Sequence, residues 1–333
     1  MTIDAVSCGV GLVASAVSQD ERGPLLGGAL ADAAELAALE EAAARLRRHP
    51  GFRAALAEYC RGMSSPARID WPVYKLFDQI GRYVVCYMLI HNYYAWIAGA
   101  GTAPTLTALQ KVCGVSARQA AGFVAALKSG RLIITEPSPD DRRVKHLRPA
   151  PPMIAEIGRS ARLFIAASDG LGGKGGGRAT LLADNHDLLG DVIRRSAAYV
   201  LAHGTIIHPF PRVLHFAQRD SGYLLLTAVF AAHFGRLAPS AVEDSLSYRQ
   251  LARRFQVSAA HIGSLMNEAQ REGWFHTDGR GRLAGVAPDF VDEFEQWASW
   301  QMVHCTSLIE AALAAFDTAP LVEVRVPDVS AAG

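Results

Sequence analysis

A chain of 333 residues, half of them hydrophobic and a fifth charged, has the composition of a globular protein long enough for two modest cores or one large one. The formal net charge of +1 excludes a protein that coats nucleic acid by bulk electrostatics, so any contact with DNA has to come from local clustering of basic residues. Five cysteines (Cys8, Cys60, Cys86, Cys113, Cys305), scattered and without a CxxC pair, suggest neither a zinc ribbon nor a disulfide framework.

The first residues are apolar, but they carry Asp4 and no early Lys or Arg, so they lack the basic segment of a secretory signal. Residues 1–27 are expected to be a poorly ordered tail. Helical spacing then marks Leu30–Arg48, which His49-Pro50-Gly51 interrupts, and a shorter helix at Phe52–Tyr59. Val73–Ala98 reads as one long central helix. Its most apolar stretch holds His91, Asn92 and several tyrosines, which suits a buried helix and not a membrane span. A soluble, cytoplasmic protein without membrane contact is expected. The run His91–Trp96 is read as core packing, with a pocket for a small aromatic effector as the alternative.

Leu106–Leu132 has the pattern of a helix-turn-helix. Leu106, Leu109 and Val112 give a short helix one apolar face, and Gly114 stands where a left-handed residue ends a helix. Ser116 caps the next helix, and Ala120, Phe123, Val124 and Leu127 face inward. Its other face carries Arg118, Gln119, Gly122 and Lys128. Arg and Gln are the side chains that read guanine and adenine by paired hydrogen bonds in a major groove. Leu132–Thr135 then has strand propensity, Pro137–Asp141 is dense turn chemistry, and Arg142–Arg148 returns as a second strand. Lys111–Arg148 has a net charge of +5, gathered toward the hairpin tip at Arg142, Arg143 and Lys145. Such a wing reaches phosphates and a narrow minor groove.

The stretch LKSGRLIITEPSPDDRRVKHLRPAP resembles the wing of the multiple-antibiotic-resistance regulator (MarR) family of winged-helix transcription factors. The resemblance covers roughly 74–157. It rests on Asp141-Arg142-Arg143, which meets the family's Asp-x-Arg at the wing tip. It implies that Arg143 enters the minor groove and that Asp141 orients it. The chain departs from the family at Arg131, where a Gly is usual, and at Arg148-Pro149, where Leu-Thr is usual.

A long helix is expected at Pro151–Ala167, and Ser168–Arg178, with six glycines, reads as a linker. A shift of 142 positions then pairs Leu109 with Leu251, Val115 with Val257, Ser116 with Ser258 and Phe123 with Leu265. The first winged-helix domain is therefore placed at 28–167, the linker at 168–178, the second domain at 179–318 and a tail at 319–333. In the second unit Tyr248, Leu251, Ala252 and Phe255 form the first helix. Ile262, Leu265, Met266 and Ala269 face inward on the next, and Ser258, His261, Ser264 and Asn267 are the candidate contacts. A short wing with Arg280 and Arg282 at its tip follows, and Arg249–Arg282 has a net charge of +3. Further helices are expected at Asp184–Ala202 and Pro288–Phe316, the latter with Trp297, Trp300 and His304 along an interhelical seam.

The fold class expected is mainly α: tandem winged helix-turn-helix units with small β-hairpin wings and flanking packing helices. The function expected is a sequence-specific transcriptional regulator of double-stranded DNA. Its two units would imitate a dimer, as a monomeric pseudo-dimer or within a homodimer, on an asymmetric site. Two alternatives stand beside it. One is a plasmid-type replication initiator, which the near-zero charge disfavours. The other is an interaction module in which only the first unit binds DNA. There is no GxSxG, no HExxH and no Gly-Lys-Ser/Thr after the glycines. His203, His208 and His215 match no zinc spacing. No enzyme activity, cofactor or metal is expected.

Overall fold

A computed structural model describes residues 33–66, 69, 73–139, 141–173, 177–235, 247–278 and 283–318. The tails expected at 1–27 and 319–333 lie outside these residues, as do Arg280 and Arg282. Among the described residues the chain is mainly helical with two small antiparallel hairpins. None of its helices is long and apolar enough to cross a membrane.

The first half runs α1 (Ala33–Arg47), α2 (Phe52–Ser64), a 3-10 turn at Val73–Leu76, α3 (Ile80–Ile97), α4 (Leu106–Val112), α5 (Ala117–Ser129), β1 (Ile133–Pro137), β2 (Lys145–Pro149), α6 (Pro151–Ile157) and α7 (Arg159–Leu171). The second runs α8 (Gly177–Asp184), α9 (His186–His203), α10 (Pro211–Ala217), α11 (Gly222–Gly235), α12 (Tyr248–Phe255), α13 (Ala259–Arg271), β3 (Phe275–Thr277), β4 (Leu283–Val286) and α14 (Pro288–Thr318).

Three expected boundaries move, each for a local reason. The long helix at Val73–Ala98 is broken before α3, because the Asp78 carbonyl accepts from Ser221 N at 2.8 Å and so bonds the other half instead of its own helix. The helix at Pro151–Ala167 divides at Gly158, where α9 crosses so closely that an added Cβ would lie 2.6 Å from Leu189. The linker narrows, since Ser168–Leu171 completes α7 and Gly177 opens α8. Fully buried Asp169 takes a hydrogen bond from Arg178 Nε at 2.6 Å, which holds the two helix ends together.

The 142-residue shift recurs in the backbone. It carries the start of α3 onto α11, of α4 onto α12 and of β1 onto β3, and it carries α5 onto α13 at both ends. Ser116 Oγ accepts from Gln119 N at 3.2 Å, and Ser258 Oγ accepts from His261 N at 3.1 Å. Left-handed backbone recurs too. The turn between the paired helices has φ +68° at Gly114 and +56° at Gln256, and the hairpin entry has +56° at Arg131 and +71° at Gly273. The hairpins differ in length, with 17 residues from Ile133 to Pro149 against 12 from Phe275 to Val286.

The halves bury their apolar faces in each other. α2 packs on α11 while its counterpart α9 packs on α3, and α1 packs on α14 while its counterpart α8 packs on α7. α7 and α14 meet directly. Such exchange of matching contacts is what an approximate twofold axis produces. One continuous hydrophobic core results, running from Ala43 to Ala312 through both halves. The described parts of 28–167 and of 179–318 both contribute to this core.

The crossing of α3 and α9 depends on a missing side chain. A Cβ at Gly190 would stand 2.1 Å from the Tyr94 ring, whose hydroxyl donates to Asp187 at 2.9 Å. Alanine is the better helix former by about 1 kcal/mol, yet Gly190→Ala is expected to destabilise the protein by about 1–3 kcal/mol through overpacking. Chemical denaturation measures the sign.

Candidate nucleic-acid interface

Thr105 caps α4, its hydroxyl accepting from Ala108 N at 3.2 Å, and α5 follows after the Gly114 turn. Leu109, Ala120, Phe123, Val124 and Leu127 are buried as the periodicity requires. Arg118, Gly122, Ala125 and Lys128 are exposed on the opposite side of α5. Among the described residues nothing lies within 4 Å of where a Cβ on Gly122 would be, so none of them explains a glycine at this point of the helix. Arg118 and Lys128 have no acidic partner among the described residues.

Ser116 and Gln119 sit where the sequence places them but are occupied with each other. Each closes on the other's backbone N–H, with Gln119 Oε1 accepting from Ser116 N at 3.0 Å. The carboxamide oxygen that a paired contact to adenine would need is therefore engaged in the helix cap.

The first hairpin is anchored from behind and charged in front. Leu147 N donates to the Pro104 carbonyl at 2.7 Å, and buried His146 meets Trp96 edge-on at 5.0 Å. Arg148 pairs across the strands with Glu136 at 2.8 Å, which removes one cation from the outward charge. At the tip the Arg143 side chain is 92% exposed, yet it is held on both edges of one carboxylate. Its Nε lies 3.1 Å from Asp141 Oδ1 and its Nη2 3.2 Å from Oδ2. Arg143 N also donates to Asp141 Oδ1 at 3.0 Å, and these bonds hold the Asp141 carboxyl below its ordinary range. Arg142 is exposed beside it, and Lys145 Nζ folds back to the Arg142 carbonyl at 3.0 Å.

The second unit repeats the helices and not the chemistry. Ser264 and Asn267 are exposed on α13. His261 is not: its Nε2 lies 2.8 Å from the Asp220 carbonyl, so the ring turns toward the body. This hydrogen bond to a half-buried turn takes the ring off the outward stripe. Glu268 on the same helix pairs with Arg219 at 3.0 Å.

The Asp220 turn belongs to an ionic cluster that sequence spacing did not single out. Lys75 and Arg82 flank the fully buried carboxylate of Asp78, and both also approach Asp220. Burial, then the neighbouring Asp220 charge, raises the Asp78 carboxyl, against the pull of the two cations. The only hint in the sequence was Lys75, Asp78 and Arg82 at helical spacing. The pairing with Asp220 comes from the other half.

The run His91–Trp96 is engaged in packing. His91 Nδ1 contacts the Arg194 carbonyl at 3.0 Å, and Tyr93 meets Tyr94 edge-on at 5.2 Å. On α14, Trp297 packs against Phe164 and Tyr223, and Trp300 against Phe210, which makes the expected seam. Cys60, Cys86, Cys113 and Cys305 are buried free thiols, and burial pushes the Cys305 thiol up to about 12.

No family model, curated protein or solved structure matches the chain.

Arg131 pays conformational strain at the entry to the first hairpin, where Gly273 does the same job without a Cβ. Arg131→Gly is expected to raise stability by about 0.5–1 kcal/mol, read as a higher denaturation midpoint. An unchanged or lower midpoint would show that the left-handed backbone carries no strain.

Proposed function

We propose that the chain is a sequence-specific DNA-binding regulator, a pseudo-dimer that presents two winged helix-turn-helix readers from one polypeptide. The observation that carries the reading is the Arg143–Asp141 pair at the exposed tip of the first hairpin. A guanidinium splayed into solvent loses much rotamer entropy on binding. One already held by a carboxylate two residues away loses less, and it keeps the flat shape that fits a narrow groove. Beside it, α5 offers Arg118 and Lys128 on a face of small residues that permits close approach to base edges. The likeness of this hairpin to the MarR wing is part of the same proposal.

The two units are unequal readers in this proposal. The first carries the larger net charge, +5 over Lys111–Arg148 against +3 over Arg249–Arg282, and the second adds the neutral donors and acceptors of Ser264 and Asn267. An asymmetric site follows, with most of the salt dependence in one half. A second reading, in which the second unit makes no DNA contact, is favoured by the inward turn of His261. Truncation after Gly170 does not separate the two, because it strips α2 and α3 of the helices they pack on.

Point substitutions do separate them. Once a bound sequence has been selected from a random pool, Arg143→Ala is expected to weaken binding by about 1–3 kcal/mol if the side chain lies in the groove, or to lower the salt slope by about one if it meets phosphate. Neither change would remove the wing from the proposal. Asn267→Glu places a carboxylate on the outward face of α13. About tenfold weaker binding supports two readers, and unchanged binding supports one.

A further inference from the structure

The two repeats carry their cations in different places. On α5, Arg118 and Lys128 are exposed and the helix holds no acid. The same positions on α13, 142 residues on, are Ala260 and Gln270. The Gln270 carboxamide oxygen is taken up by Thr277, accepting from N at 3.1 Å and from Oγ1 at 2.9 Å. α13 also brings Glu268 and, at its C-cap, Glu272. α12 differs in the opposite sense. Thr107, Lys111 and Val112 of α4 correspond to Arg249, Arg253 and Arg254, and α12 holds no acid. The positive charge of the second repeat stands on the helix before the one that would enter a groove.

Helix stability does not account for this. The inner face of α12 is complete in buried Leu251, Ala252 and Phe255. The helix dipole favours Arg253 and Arg254 in the last turn, but Arg249 lies in the first turn, where the dipole disfavours a cation. Arg249 is also four residues from Arg253, on the same face, and like charges at that spacing repel. Both side chains are exposed, and neither has an acidic partner among the described residues.

We propose that α12 is a phosphate clamp: Arg249 and Arg253 contact neighbouring phosphates of one DNA strand, so that the second repeat holds the duplex by its backbone and not by its bases. The clamp rests on the DNA reading above and specifies what the second repeat touches. Side chains four apart on a helix start about 5–6 Å from each other, and the phosphates of one strand follow at about 3.4 Å of axial rise. Both guanidinium groups can therefore be engaged at once. In a helix-turn-helix, the helix before the recognition helix crosses the backbone, and phosphate contacts fix position without carrying sequence information. A duplex is favoured over an acidic protein surface because the first repeat is basic too, and an extended phosphate lattice meets both. A site informative in one half only is the consequence, where a dimer of identical readers would require two.

Selection from a random pool, followed by binding measured between about 50 and 200 mM salt, tests the clamp. Arg249→Ala and Arg253→Ala are each expected to lower the salt slope by about one, and together by about two. The loss of affinity is expected to agree within about twofold on the selected duplex and on one randomised in its uninformative half. Arg253→Lys keeps the point charge and is expected to keep the slope, whereas a paired contact to guanine would not survive it. Arg48→Ala, at an exposed cation after α1, controls for net charge and is expected to leave the slope unchanged. Removing the Arg249–Arg253 repulsion is expected to hold or raise the denaturation midpoint, which separates weaker binding from unfolding. Should the double variant be destabilised, the single variants and Arg253→Lys still decide.

Unchanged slopes in both alanine variants, an equal loss in Arg48→Ala, or a consensus informative in both halves overturns the clamp. If the unmodified chain binds and Arg143→Ala weakens it while the α12 variants do nothing, the clamp alone falls. If the unmodified chain binds no duplex at any salt, the DNA reading falls and takes the clamp with it.

Discussion

α11 is apolar on every side, and no single half of the chain has the helices to surround it. Twelve of its residues are buried, from Gly222 to Gly235. The first half covers one face with α2, the second covers others with α10 and β4, and Phe230 stacks on Phe294 of α14 at 3.7 Å. On the other side of the approximate axis, α3 depends in the same way on α9. Hydrophobic burial is roughly proportional to the apolar area removed from water. An arrangement in which each half covers the other's central helix therefore gains that area for both together, and neither half can keep it alone.

The shared core fixes where the paired helices and hairpins stand. α4 and β2 rest on α3, and β4 rests on α11, so each hairpin is mounted on a helix that the opposite half encloses. The ionic cluster at Asp78 and Asp220 joins the same parts by a polar route. Through the Asp220 carbonyl it ends on His261, in the first turn of α13. Asp78 and Asp220 share the cations of Lys75 and Arg82, which ties the two halves together through charge. A cavity of about 240 Å³ between the halves borders the same segment, since Asp78 and Gln79 are part of its wall.

Local signals in the sequence carried over well. Apolar spacing placed the inward residues of α4, α5, α12 and α13. The serine after each Val marked a real helix cap, and the shift of 142 survived to the ends of α5 and α13. The pairing at the first hairpin's tip was legible because an Asp two residues before an Arg allows an ion pair that needs no tertiary partner. Features set by distant contacts were not legible. α11 has no periodicity to read, because a helix buried all round shows no polar face. Nor does an outward stripe say which of its members will turn aside, as His261 does to reach Asp220 and as Gln119 does to close its cap. The boundary at Asp78 depends on a hydrogen bond from Ser221, which no local window contains.

The exchange of helices between halves also bears on how the chain is made. Phe52 opens α2, and the helix it covers begins only at Gly222, 170 residues later. At about 5–20 residues per second, translation leaves that apolar face without its partner for roughly 10–30 s. α1 waits longer, because α14 is the last helix described. Nascent first halves carry those uncovered apolar surfaces throughout the interval, when unfolded-chain aggregation is the competing outcome.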